Sequence, residues 1–164
     1  MKLSFIEYLR TGQLPPLVFG SPRAEVLRFL GTPSSWVSQD DPLFEKPRRD
    51  HLHSDSVSYG SLAFSFDEND RVEQIMLAMA FECSWPAEAQ SFPTREMRIP
   101  DIIDLMREHN IPFADIGLMN DGSMLRTASG VEILASQRLM DERRLLSCCS
   151  KWKQEPKQTP LRTP

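Results

Sequence analysis

Cysteine is scarce: three in 164 residues, at Cys83, Cys148 and Cys149. An odd count with two of them adjacent is no framework for paired disulfides, and predicts a reducing, cytoplasmic setting with the thiols packed as small hydrophobes. Long apolar runs are missing as well. None approaches the roughly 18 residues that a membrane span needs, and Glu7 and Arg10 interrupt the early apolar stretch before the core of a cleavable leader could form. Glycines number seven and are scattered, which leaves no Gly-rich phosphate cradle and excludes that route to nucleotide chemistry. Nor is there an excess of positive charge: 19 Lys+Arg stand against 23 Asp+Glu, a net charge of −4. That balance argues against non-specific nucleic-acid binding, which draws its affinity from a positive surface.

What is present is a globular composition, 40% hydrophobic and 26% charged, enough to build a core. Phe5, Ile6, Tyr8 and Leu9 are spaced as one face of a short helix, with Gly12 placed to end it. A second helix is predicted from Pro22 to Leu30, with Ser21 as cap, Pro22 in the first helical position, Gly31 as terminator, and Val26, Phe29 and Leu30 on the buried side. Residues 34–56 are polar and loop-like, carrying Asp40, Asp41, Arg48, Arg49, His51 and His53. From Val57 to Phe66 apolar residues alternate with small ones. With a turn at 67–70 and Val72, Ile75, Leu77, Met79 and Phe81 beyond it, this predicts a β-hairpin. The three-residue step from Val72 to Ile75 calls for a bulge in its second strand.

Residues 84–98 again read as loop, and a third helix is expected from Pro100 to His109 with Ile102, Ile103, Leu105 and Met106 inward. Further antiparallel strands should follow around the Asn120-Asp121-Gly122 turn signal, from Met124 to Ala135, and from Arg143 to Cys149. The last residues, 150–164, hold four basic side chains, three prolines and one acid, Glu155, and predict a disordered basic tail.

The two halves repeat one order of signals: a helix opened by proline, an Xaa-Pro break at Pro33 and Pro112, a glycine in an extended stretch at Gly60 and Gly130, and an arginine before a last strand at Arg71 and Arg143. The expected fold is therefore α+β, made of two tandem helix-plus-antiparallel-sheet modules, residues 1–83 and 84–149, able to share one sheet.

The segment Gly20-Ser21-Pro22-Arg23-Ala24-Glu25-Val26 with Leu30-Gly31-Thr32-Pro33 resembles the helical part of the small α/β modules in bacterial outer-membrane assembly lipoproteins and in β-lactamase-inhibitor proteins. With Leu9-Arg10-Thr11-Gly12 before it and Tyr59-Gly60-Ser61-Leu62-Ala63-Phe64 after it, the stretch also resembles small uncharacterised bacterial α/β proteins of immunity-protein type. The likeness spans the first half and implies a helix packed on a sheet. A lipobox cysteine and paired cysteines are both lacking, and no functional residue of either named family maps onto this chain.

Candidate chemistry is thin. His51 and His53 could supply two zinc ligands if Cys83 or Asp50 joined them, yet no Cys-Xaa-Xaa-Cys or Glu-Xaa-Xaa-His supports them. Cys83 with His109 would make a nucleophile and base only if the fold brought them together. Asp101, Asp104 and Glu108 share one helical face, where first-turn acids complement the helix dipole without catalysis. Trp36, Trp85 and Trp152 fall in loop or tail segments, where tryptophan serves interfaces. The reading that follows is a non-enzymatic cytoplasmic protein-binding module, a bacterial immunity protein neutralising a toxin. It binds through Trp36, Asp40, Asp41 and Trp85, uses no cofactor or metal, and takes another protein as partner, such as a basic toxin domain. The rival is a small metal-binding protein or enzyme using His51 and His53 with a cysteine. A third reading, nucleic-acid contact through the basic tail, is the least favoured.

Overall fold

The computed structural model describes residues 2–37, 55–78, 84–89, 92–94, 97–119, 122–136 and 145–151. Helix α1 spans Phe5–Thr11. It starts where the Ser4 hydroxyl accepts from the Glu7 N–H at 3.2 Å and ends where Gly12, at φ 73°, turns left-handed and donates its N–H to the Tyr8 carbonyl. Helix α2, Arg23–Leu30, begins one residue later than expected, with Pro22 as the capping residue. Ser21 does not cap it: its hydroxyl accepts from the Val18 N–H, closing the preceding turn instead. Only Val26 of its predicted face is fully buried. Phe29 and Leu30 are only partly buried and pack against the core.

Helix α3 runs Ile99–Glu108. The Asp101 carboxylate accepts from the Arg98 N–H at 2.7 Å, and Ile99, Ile102 and Met106 are buried.

Eight strands follow the order β1 (Ser35–Val37), β2 (Asp55–Tyr59), β3 (Leu62–Phe66), β4 (Val72–Ala78), β5 (Phe113–Met119), β6 (Gly122–Thr127), β7 (Glu132–Ser136) and β8 (Leu145–Lys151). They form one sheet in the order β1-β2-β3-β4-β8-β7-β6-β5, with every described pairing antiparallel. The fold is thus α+β. Two helices, α1 and α2, precede the four-stranded meander β1–β4 and one, α3, precedes β5–β8, and the meanders meet where β4 pairs with β8.

Two expected strands are each two strands. Val57 to Phe66 breaks at Gly60-Ser61, so that Tyr59 pairs with Leu62 across a two-residue turn, Gly60 at φ 64° supplying its left-handed position. The stretch Met124 to Ala135 breaks likewise between Thr127 and Glu132, where Gly130 has φ 87° and the Thr127 N–H donates to the Val131 carbonyl. In both places the chain reverses because a glycine permits the positive φ that closes a tight turn. The bulge expected in the following strand is present: Phe66 pairs with Val72 and Ser65 with Gln74, leaving Glu73 as the extra residue.

The segment from residue 34 to 56 is not all loop, since β1 adds to the sheet edge through Trp36 paired with Val57. The tail, too, begins later than residue 150. Ser150 and Lys151 belong to β8, Ser150 opposite Ile75 and Lys151 opposite Gln74, and the buried Ser150 hydroxyl donates to the Gly12 carbonyl at 2.7 Å. A polar residue survives inside a central strand here because a helix-terminal carbonyl satisfies it.

The inward sides of the strands form one core with all three helices: Val57, Phe64, Ile75 and Cys148 lie with Phe5, Tyr8, Val26, Ile102 and Met106. The Tyr8 hydroxyl donates to the Ile75 carbonyl, which ties α1 to the middle of the sheet. Among the described residues no helix is long and apolar enough to cross a membrane.

Candidate functional site

Alternation along the strands divides the sheet into two faces. One inward row reads Tyr59, Leu62, Leu77, Cys148, Ile133 and Leu125 in register, all buried. The neighbouring row on the opposite face reads Ser58, Ala63, Met76, Cys149, Glu132 and Arg126, all partly exposed. Beside it lie Ser56 and Gln74, partly exposed, and Ser65, which is buried, and Leu134 on β7 is 39% exposed. The buried residues of α1, α2 and α3 all join the inward core, so this outward face is bare of helices among the described residues.

Its centre is made of small, uncharged and sulfur-bearing side chains. The Gln74 amide donates to the Cys149 sulfur at 2.8 Å, and Arg126 and Glu132 form an ion pair at 2.6 Å that leaves this end of the row neutral. The adjacent cysteines point to opposite faces. Burial, and then the neighbouring Cys149, push the Cys148 thiol far above its ordinary range, so it stays protonated and inert. Burial likewise raises the Tyr8 phenol, with Cys148 adding to the effect.

The residues singled out in the sequence do not gather at one place. Trp36 lies on edge strand β1, in register with the inward-facing Val57. Asp40, Asp41, Asp50, His51, His53 and Cys83 lie outside the described residues, as does Trp152. Trp85 is half-buried at the start of the connection to α3. Its indole N–H donates to the Pro93 carbonyl at 2.8 Å and its ring lies 5.1 Å from that of Phe92, which in turn contacts Phe5. Packing thus occupies both the polar and the apolar part of Trp85.

His109 ends α3. Of the acids on that helix, Asp101 caps it and Asp104 pairs with Arg107, so both act on their own helix. No three His, Cys, Asp or Glu side chains among the described residues converge to hold a metal ion.

The outward face escaped the sequence reading, although its signal was there. Ser56, Ser58, Ala63 and Ser65 are the small residues that alternate with Val57, Tyr59, Leu62, Phe64 and Phe66. Small residues at every second position distinguish this face from the large apolar one that alternates with it. No protein-family model matches this chain, and no curated protein or solved structure matches it either.

Proposed function

We propose that this chain is a non-enzymatic protein-binding module, an immunity protein that neutralises a basic toxin domain in the cytoplasm by direct contact. The observation that carries the reading is the outward face of the sheet, helix-free among the described residues: an antiparallel surface whose central side chains are small or sulfur-bearing and uncharged, with Met76 and Leu134 partly exposed on it. Such a surface lets a folded partner approach the backbone closely over a wide area. Its apolar and sulfur atoms supply contact energy without the desolvation of charges. The net charge of −4 supports a basic partner, because complementary fields raise association rates. Trp36, Asp40, Asp41 and Trp85 remain the proposed partner-binding residues; of these, Trp85 offers a partner only its exposed portion, since Pro93 and Phe92 hold its indole.

The two halves are proposed to be tandem modules derived from one helix-plus-meander unit. Support comes from the symmetrical strand order and from Gly60 and Gly130, which occupy positive φ in corresponding hairpins.

Photo-crosslinking in the native host tests the binding reading. With a photoreactive phenylalanine analogue in place of Ser58 or Leu134, one basic protein is expected as the adduct, and none when the probe replaces Arg28 on the exposed side of α2. Adducts from Arg28 alone, or from no position, would overturn it.

A further inference from the structure

Strand β5 stands at one end of the sheet, and β6 is its only strand partner among the described residues. An open edge is a template for another strand, and proteins guard such edges by keeping them short, by placing charges or proline there, by a bulge that twists the edge away, or by covering them. The opposite edge, β1, has three residues. β5 has seven, Phe113-Ala-Asp-Ile-Gly-Leu-Met119, with neither lysine nor proline; its guards are the single charge at Asp115 and the bulge beside it. The bulge in its pairing skips Ile116: Asp115 is opposite Leu125 and Gly117 opposite Met124, so no residue of β6 faces Ile116, which is 39% exposed.

We propose that β5 pairs antiparallel with β5 of a second copy across a two-fold axis at Ile116, joining two sheets into one. In that register Ile116 meets its own counterpart, Asp115 is opposite Gly117, Ala114 opposite Leu118 and Phe113 opposite Met119. No like charges stand opposite one another, and the same patch serves both molecules, as a two-fold interface requires. An edge of this length specifies an extended strand as its occupant, and its own nearly uncharged sequence fits that description. The proposal is independent of the binding role of the outward face.

Sedimentation velocity tests it. The full chain is expected to dimerise with a dissociation constant below about 100 µM. Ile116→Lys and Ile116→Glu should each weaken the dimer at least about tenfold by placing like charges together. Mixing the two variants should restore association as a heterodimer that weakens with salt, because Lys and Glu then face each other. Circular dichroism of each variant should match the parent, since the position is exposed. A parent that stays monomeric at about 100 µM, a dimer indifferent to both substitutions, or a mixture that associates no better than its components would each overturn the proposal.

Discussion

Replacing Gly60 by alanine is expected to destabilise the fold by about 3 kcal/mol, from two separable causes. Gly60 holds φ 64° in the β2–β3 turn, and a left-handed conformation costs an L-residue about 1 kcal/mol. A Cβ at this position would also lie 2.3 Å from the Ser84 carbonyl oxygen, where ordinary contact begins at 3.4 Å. The obstacle is backbone and cannot rotate away. That oxygen accepts from the Ser61 N–H at 2.6 Å, and the Ser84 N–H donates to the Ser61 hydroxyl at 3.2 Å, so a retreat of about 1 Å breaks both bonds at a net cost of about 1 kcal/mol each.

Gly12 is the matched control. It has φ 73°, but a Cβ there finds its nearest neighbour at 3.5 Å, and Gly12→Ala should cost only the conformational term of about 1 kcal/mol. Urea unfolding of both variants separates the terms. At a slope of about 2 kcal/mol/M, Gly60→Ala lowers the midpoint by about 1.5 M and Gly12→Ala by about 0.5 M, with slopes unchanged. Two variants agreeing to within about 0.5 kcal/mol would show that residue 84 does not press on the hairpin.

The Arg23 guanidinium pairs with Asp55 at 2.9 Å and with Asp70, and lies 4.7 Å from the centroid of the Phe66 ring. Arg23→Met should therefore cost about 2 kcal/mol in urea unfolding. Arg28→Met, which removes an 82% exposed partner of Glu25, should stay within about 0.5 kcal/mol, and equal costs would refute the distinction. Alkaline pH should unfold the protein through Tyr8 and Cys148. Both are raised in the native state, mainly by burial, so they keep protons there that the unfolded chain releases. Their stabilisation is complete below about pH 8 and declines above pH 9–10 by up to about 1.4 kcal/mol per pH unit for each group. Tyr8→Phe should make the fall in urea midpoint between about pH 9 and 11 shallower, and an unchanged slope would contradict this assignment.

The helices were legible because their signals are local. Ser4 and Gly12 bracket α1, and Pro100 with Asp101 opens α3, each acting within a few residues of its own backbone. The strands were legible as extended chain but not as separate strands. The apolar alternation slips phase both at Gly60-Ser61 and between Val72 and Ile75. The first slip is a reversal and the second a bulge, and only the glycine and the partner strand distinguish them. Ser150 and Lys151 read as tail because a serine and a lysine carry no apolar pattern. Their place beside β4 depends on a pairing with residues some seventy-five positions earlier in the chain, which no local signal encodes.

By itself, the amino-acid sequence determined the class of elements, α+β, the places of the helices, and most of the residues that turn inward, since burial follows the period of each element. Tertiary structure decided how the halves join. Among the described residues, pairing β4 with β8 makes one sheet with β1 and β5 at its ends, and the buried residues of all three helices join the core on one side of it. It also decided that Trp85 is held by Pro93 and Phe92. Strand pairing is a long-range choice, driven by burying two half-cores as one, and its consequences for the surface arise only once the chain has closed on itself.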